Sequence, residues 1–293
     1  MRLPLLILSF IFLLLNGSYY KEEIKNPQTL TFKSNPLIST DFSVLRDTIY
    51  TMKDHVVEVN LATHQATVRF RNGAIKQFPI SGGNKNIEEG VDTKEGLFVL
   101  QWKSKKQYST QFDSTLMLYW MGFNGGIGFH ALATNGYYRY LGKKNVSHGC
   151  VRISRKDAEE LYKILERGTP VLIHKGNSAI TVSFGGSGEV YKYYPFDKLK
   201  NILSQRFTAL YNGRYFLENK YKILIDEENV KSSGLPIGNA DKIPSKQIIT
   251  SDQIYLSKGS SEEDKLDIIL SENSEKNFKL SLHPFLDSLY ARR

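Results

Sequence analysis

Apolar and polar residues alternate with a period of two over Val56-Val57-Glu58-Val59 and again over Ala66-Thr67-Val68-Arg69-Phe70. That spacing puts every second side chain on one face of a strand. Leu61-Ala62-Thr63-His64 joins these runs, and Asn72-Gly73 leads into a third, Ala74-Ile75-Lys76-Gln77-Phe78-Pro79-Ile80. Asn-Gly between alternating runs is a strong hairpin signal, because a type I′ turn needs positive φ at both central residues. The pattern predicts a three-stranded meander. A glycine-bearing polar loop follows, then a strand over Gly96–Trp102, with residues 103–114 read as a polar insertion. Met117 to Phe129 is apolar and aromatic, but glycines 122, 125, 126 and 128 exclude a stable helix. This stretch reads as strands and a tight turn leading into His130.

One helix is signalled beyond it. Ser154 caps its start, with Asp157 three positions on, and Ala158, Leu161, Tyr162 and Leu165 share one face before Gly168. Thr169 to His174 is then a strand. After Lys175 the character changes. Ser178–Phe184 reads as a strand, and Leu199, Ile202, Leu203, Phe207 and Leu210 mark an amphipathic helix ending at Gly213. Short strand-like stretches recur at Lys222–Ile225, Gln247–Thr250 and Lys279–Leu282. No internal repeat is present.

Composition agrees with a strand-rich chain. The 17 Tyr and 16 Phe, within 41% hydrophobic residues, suffice for a core and favour a mainly β or α+β class. Net charge is +9, with 22 Lys and Arg against 15 Asp and Glu in residues 1–174. Such a surface attracts polyanions, but no basic helix or zinc-finger spacing selects nucleic acid. Met1-Arg2 followed by the largely apolar run Leu3 to Leu15 is short for a membrane span, which needs about 20 residues, and fits a secretory signal or an N-terminal anchor. No cysteine follows it to carry a lipid. Any membrane association is expected only through this segment.

The chain has one cysteine, in Asn145-Val146-Ser147-His148-Gly149-Cys150-Val151-Arg152. An exported protein with a single thiol forms no internal disulfide. A thiol beside imidazoles and a glycine reads as a nucleophile. On a strand through 146–152, His148, Cys150 and Arg152 share a face, and a second strand can bring His130 alongside. A nearby imidazole favours a thiolate–imidazolium pair. Gly149 leaves room for backbone N–H groups at a developing oxyanion, and Arg152 has the geometry to hold a carboxylate. Two other readings stand beside this one: Cys150 as a small buried hydrophobe, and His130, His148 and Cys150 as zinc ligands. His55 and His64 read as surface residues, His174 as structural, and Tyr119, Trp120, Phe123 and Phe129 as core. Gly82-Gly83-Asn84 reads as a turn, since no P-loop pattern follows.

Ser-His-Gly-Cys followed by an apolar residue and Arg, with His130 upstream, resembles the bacterial L,D-transpeptidases of the YkuD type. The order of the 55–80 meander, Thr93-Lys94-Glu95-Gly96, Gly126-Ile127-Gly128-Phe129-His130-Ala131 and the helix-then-strand at 155–174 is similar as well. The resemblance implies a YkuD-like β-sandwich catalytic domain with one packed helix. It implies a substrate, the peptidoglycan stem peptide, with wall-attached proteins as further acceptors, and no cofactor or metal. By that resemblance Cys150 is the nucleophile, and His130 is the proton donor and acceptor, oriented by the Ala131 carbonyl. His148 supports the geometry, and the N–H groups of Gly149 and Cys150 form the oxyanion hole. Arg152, Ser147 and Gly128 contact substrate. The expected organisation is residues 1–18 as signal peptide or anchor, 19–48 as linker or arm, 49–175 as catalytic domain, and 176–293 as a C-terminal α/β extension. The expected location is the periplasm or cell envelope. Transfer to water, giving an L,D-carboxypeptidase, and a non-catalytic wall-binding module are the alternatives. Thr-Lys-Glu-Gly stands where the family commonly has Thr-Pro-x-Gly, and Ala131-Leu132 follows His130 where glycine or a small polar residue is common.

Overall fold

The computed structural model describes residues 42–248 except 112, 113 and 219. The N-terminal apolar run and the strand expected at Lys279–Leu282 lie outside the described residues, as does the end of the one at Gln247–Thr250. Among the described residues, thirteen strands and two α-helices form a mostly β structure.

The meander forms as β2 (His55–Asn60), β3 (Gln65–Phe70) and β4 (Ile75–Pro79), antiparallel throughout. Its second turn departs from the expected type I′ geometry: only Gly73 has positive φ, at 87°, while Asn72 Oδ1 accepts the Ala74 N–H at 3.0 Å. β5 (Gly96–Val99) and β10 (Pro170–His174) complete a five-stranded sheet in the order β4-β3-β2-β10-β5. The supposed polar insertion is β6 (Trp102–Tyr108), which pairs with β7 (Leu116–Asn124). It reads poorly as a strand because it is a solvated edge guarded by lysines. β7 continues through β8 (Ile127–Leu132) to the two-residue β9 (Val151–Arg152), giving the sheet β6-β7-β8-β9.

These two sheets share one core. Val57, Val59, Phe98, Val171 and Ile173 meet Met121, Phe123, Phe129 and Val151, and helix α1 (Arg155–Ile164) closes it with Ala158 and Leu161. The helix starts as its sequence suggests, with Ser154 Oγ accepting the Asp157 N–H at 3.1 Å.

The five-stranded sheet is buried on its other face too. Val56, Leu97, Val99 and Leu172 join a second core with Ile49, Val182 and Ile223, roofed by Leu199, Leu203, Phe207 and Leu210 of α2 (Phe196–Tyr211). Ile49 lies on β1 (Asp47–Thr51), which pairs in parallel with β11 (Ile180–Phe184) and β13 (Lys222–Leu224); β12 (Tyr191–Lys192) adds the fourth strand of this sheet. Thus β1, which precedes the meander, is stitched to strands that follow residue 175. Phe42, placed in the linker by its polar surroundings, is buried in the same core. Beneath it Arg206 reaches the buried Asp47 carboxylate at 3.4 Å. A strap from the extension also covers the β5 edge. Leu235 exchanges both backbone hydrogen bonds with Leu97, and Lys94 Nζ donates to Ser233 O at 2.9 Å.

Candidate active site

Cys150 ends a turn that enters β9, and distant segments hold that turn. Ser81 and Arg152 exchange backbone hydrogen bonds, Ser147 N–H donates to Gly82 O, and Asn84 N–H donates to Ser147 O. The Thr93 hydroxyl donates to Gly149 O at 2.6 Å and accepts the Gly83 N–H at 2.8 Å. The Asn145 side chain accepts from Gly82 N–H at 2.9 Å and His64 Nδ1 at 3.0 Å, and donates to Leu61 O at 3.2 Å. Gly82-Gly83-Asn84 is thus more than a turn, and His64 more than a surface residue: both brace the loop that carries Cys150. The motif gives no hint of this, because the partners lie some 60 to 80 residues away.

Glycine is required twice here. Gly149 has φ 138°, and a Cβ on it would lie 2.9 Å from Val91 Cγ2; a Cβ on Gly83 would lie 2.6 Å from Gly149 Cα. Val91, half exposed, and Ile127 form apolar walls beside the turn.

The expected residues separate into two groups. His130 stands directly opposite Arg152 across the parallel β8–β9 pair, so imidazole and guanidinium leave the sheet on one side. Cys150 precedes Arg152 by two. Its Sγ–H points at Gly126 O, 3.8 Å away, and the Gly128 backbone N–H faces the sulfur. Gly128 itself packs against Gly122 and Met121, where a Cβ would meet Met121 O at 2.5 Å. It therefore acts through its backbone rather than as a substrate-facing side. Ser147 differs from expectation: it is fully buried, its hydroxyl donating to Cys150 O and accepting the Gly149 N–H at 3.1 Å. Both of that hydroxyl's bonds lie within the turn itself. The same bond occupies the Gly149 N–H that was expected in an oxyanion hole, leaving the Cys150 N–H as the remaining backbone candidate. His148 sits half-buried on the turn between Ser147 and Gly149.

His130 is buried, and its Nδ1 lies 3.2 Å from Ala131 O. A carbonyl only accepts, so Nδ1 carries the proton and Nε2 holds the lone pair. Trp120 packs against the ring at a centroid distance of 5.9 Å. Burial holds the imidazole down at about 4; the Ala131 hydrogen bond opposes this and the Arg152 charge adds to it. Burial also pushes the Cys150 thiol up, against the opposing pull of the Gly128 N–H and the Arg152 charge. The free protein therefore holds a neutral thiol and a neutral imidazole, rather than the thiolate–imidazolium pair expected from adjacency alone. Burial is the largest influence on each group, and it disfavours both charged forms.

The His130 shift has a stability consequence. Its folded value of about 4 lies below the ordinary 6.5 of an unfolded histidine. Its contribution is complete above about pH 6.5 and is lost as pH falls through about 4, because the unfolded chain binds the proton more readily. Wild type is expected to lose on the order of 3 kcal/mol more than His130→Gln between pH 7 and 4. Urea unfolding at both pH values measures the difference, and parallel losses in the two proteins would contradict a desolvated imidazole.

Among the described residues no group of three His, Cys, Asp or Glu side chains is arranged to hold a metal ion. Residues 54–173 match the family model for the L,D-transpeptidase catalytic domain, YkuD. No curated protein matches the chain in sequence. Similar solved structures include an L,D-transpeptidase from Mycobacterium smegmatis, 18% identical over 41% of this chain and 58% of that one, TM-score 0.37. Another is from Stackebrandtia nassauensis, 25% identical over 42% of this chain and 56% of that one, TM-score 0.36. L,D-transpeptidase 3 from Mycobacterium tuberculosis is 20% identical over 41% of this chain and 61% of that one, TM-score 0.36. The chain spans less than two thirds of the length of each. The family match covers β2 to β10, including the meander, the His130 strand and the Cys150 turn, so residues 54–173 are the part of this chain that matches the L,D-transpeptidase catalytic domain of the YkuD family.

Proposed function

We propose that this protein is an exported L,D-transpeptidase that acts on peptidoglycan stem peptides through an acyl-enzyme on Cys150. The Sγ–H proton passes to His130 Nε2, and the thiolate adds to the carbonyl between the third residue of a tetrapeptide stem and its terminal D-alanine. The Cys150 N–H steadies the developing oxyanion, an interaction worth roughly 3–4 kcal/mol per donor in known cases. His130 then protonates the D-alanine nitrogen as the C–N bond breaks, leaving a thioester. An acceptor amine, on another stem or on a wall protein, attacks the thioester and gives its proton to the same imidazole, and the sulfur leaves. One observation carries this reading: His130 is held by the Ala131 carbonyl in the tautomer that keeps Nε2 free to accept, on the strand paired with β9, which the chain enters directly after Cys150. The apolar N-terminal run and the wall polymer substrate together favour the cell envelope as its site of action.

Incubation with isolated tetrapeptide stems separates the rival readings by product. The proposal expects cross-linked dimers and free D-alanine. Shortened tripeptides without dimers would instead make water the acceptor, and unchanged stems that nonetheless adhere to the protein would indicate a wall-binding module.

A further inference from the structure

Arg152 is an uncompensated cation at the reactive cysteine. Its guanidinium is mostly enclosed, and burial depresses its own basicity. Nη1 donates to Val146 O at 3.3 Å, yet Nε is fully enclosed and has no hydrogen-bond partner. Among the described residues no carboxylate pairs with it; the groups whose charge bears on it are Cys150 and Tyr137. Half-buried guanidinium groups normally have an anionic partner, because an unpaired charge out of water is costly. The groups around it are accounted for. On β8 the facing group is His130, which is held neutral and therefore supplies no compensating or competing charge. Beside the strand ends, the Tyr137 hydroxyl donates to Ile153 O at 2.7 Å and accepts the Leu132 N–H at 3.2 Å, and burial raises it, so it too stays neutral. On the nucleophile turn stand His148 and Cys150. Cys150 is thus the one acidic group at the site that can become the missing anion within the catalytic cycle.

We propose that the Arg152 guanidinium is the standing counter-charge of the Cys150 thiolate, holding the nucleophile ready while His130 only moves the proton. This rests on Cys150 being the nucleophile, but not on any particular substrate. The division of labour follows from the register. Burial already keeps the His130 imidazole neutral, and Arg152, its direct neighbour across the β8–β9 pair, adds to this because two cations side by side are unfavourable. When the proton moves from sulfur to Nε2, the new thiolate lies next to a charge that was already there. Gly149 and Cys150 need no rearrangement, because the Val146 carbonyl already fixes the guanidinium.

The test is the pH profile of Cys150 alkylation by iodoacetamide in the full chain, which needs no peptidoglycan. Arg152→Gln is expected to raise the thiol midpoint, slowing labelling at pH 7.5 by about tenfold, the effect of losing roughly one unit of charge stabilisation. Arg152→Lys, which keeps the charge, is expected to recover most of the rate. Thermal unfolding of each variant checks that the fold persists. Superimposable profiles for wild type and Arg152→Gln would overturn the proposal, even if Arg152→Gln raised KM for stems, since that pattern assigns Arg152 to a substrate carboxylate. A slowed profile that Arg152→Lys fails to restore would overturn it too, because packing rather than charge would then be responsible. Failure of stem turnover with these labelling shifts intact would count against the proposed substrate and leave the thiolate assignment standing.

Discussion

Cys150→Ala is expected to reduce stem turnover by on the order of 10⁴-fold or more, because both half-reactions of the proposed cycle go through the thioester on this sulfur. The chain has no second cysteine to take over. The substitution leaves the turn at residues 147–150 intact: its hydrogen bonds use the Cys150 carbonyl, the Ser147 hydroxyl and the backbone of residues 81–84, none of which needs the thiol. Unchanged thermal unfolding alongside lost turnover is therefore the expected pair of results. Wall binding is expected to persist, since the basic residues of the first half are untouched. Cys150→Ser keeps size and a proton but replaces the thiol with a hydroxyl far less ready to ionise; a buried neutral imidazole is a weak base for it. It should be nearly as inactive. Residual turnover in either variant within tenfold of wild type would remove Cys150 from the chemistry.

The second large effect concerns the extension. A chain ending at residue 175 is expected to yield no folded catalytic domain. Val56, Leu97, Val99 and Leu172 are at most 2% exposed, and they pack on Ile49, α2 and the strand Ile180–Phe184. Ile49 would lose its partners as well, since β1 pairs only with strands of the extension among the described residues. Burying one such side chain contributes roughly 1.5–3 kcal/mol. Exposing five removes on the order of 10 kcal/mol, comparable to the whole stability of a domain, about 5–15 kcal/mol. The bare β5 edge would lose its Leu235 bridge, and the loop carrying Thr93, which clamps Gly149, would lose its Lys94 tie to Ser233. Size-exclusion and circular dichroism of a 42–175 fragment decide the matter. A soluble fragment with a cooperative melt would show that the extension is a separate domain.

What the sequence made legible follows from where its physics is local. Period-two alternation reveals β3, where buried Ala66 and Val68 alternate with less buried neighbours, and β2, where Val57 and Val59 flank Glu58, although Val56 on the other face is buried in the second core. Ser154 and Asp157 announce α1 because a capping hydroxyl acts within one turn. β6 escaped because an edge strand of Lys and Ser has no alternation to read. β1 could be seen as ordered, but its neighbours are more than 130 residues away and no local signal names them. The same division runs through the site. Cys150, His130 and Arg152 stand out by residue type and spacing. The roles of Ser147, Thr93 and Asn145 depend on loops that meet only in the folded chain. The charge state also escaped, because adjacency of thiol and imidazole suggests an ion pair, whereas burial of both decides for the neutral forms.

The account turns on Cys150 carrying the acyl group, and intact-mass spectrometry of the full chain after brief exposure to a tetrapeptide stem tests this most directly. The expected result is an added mass equal to the stem less its terminal D-alanine, mapped to the Cys150 peptide and lacking in Cys150→Ala. Turnover of stems with the adduct on another residue, or with none formed when acceptor is withheld, would contradict it.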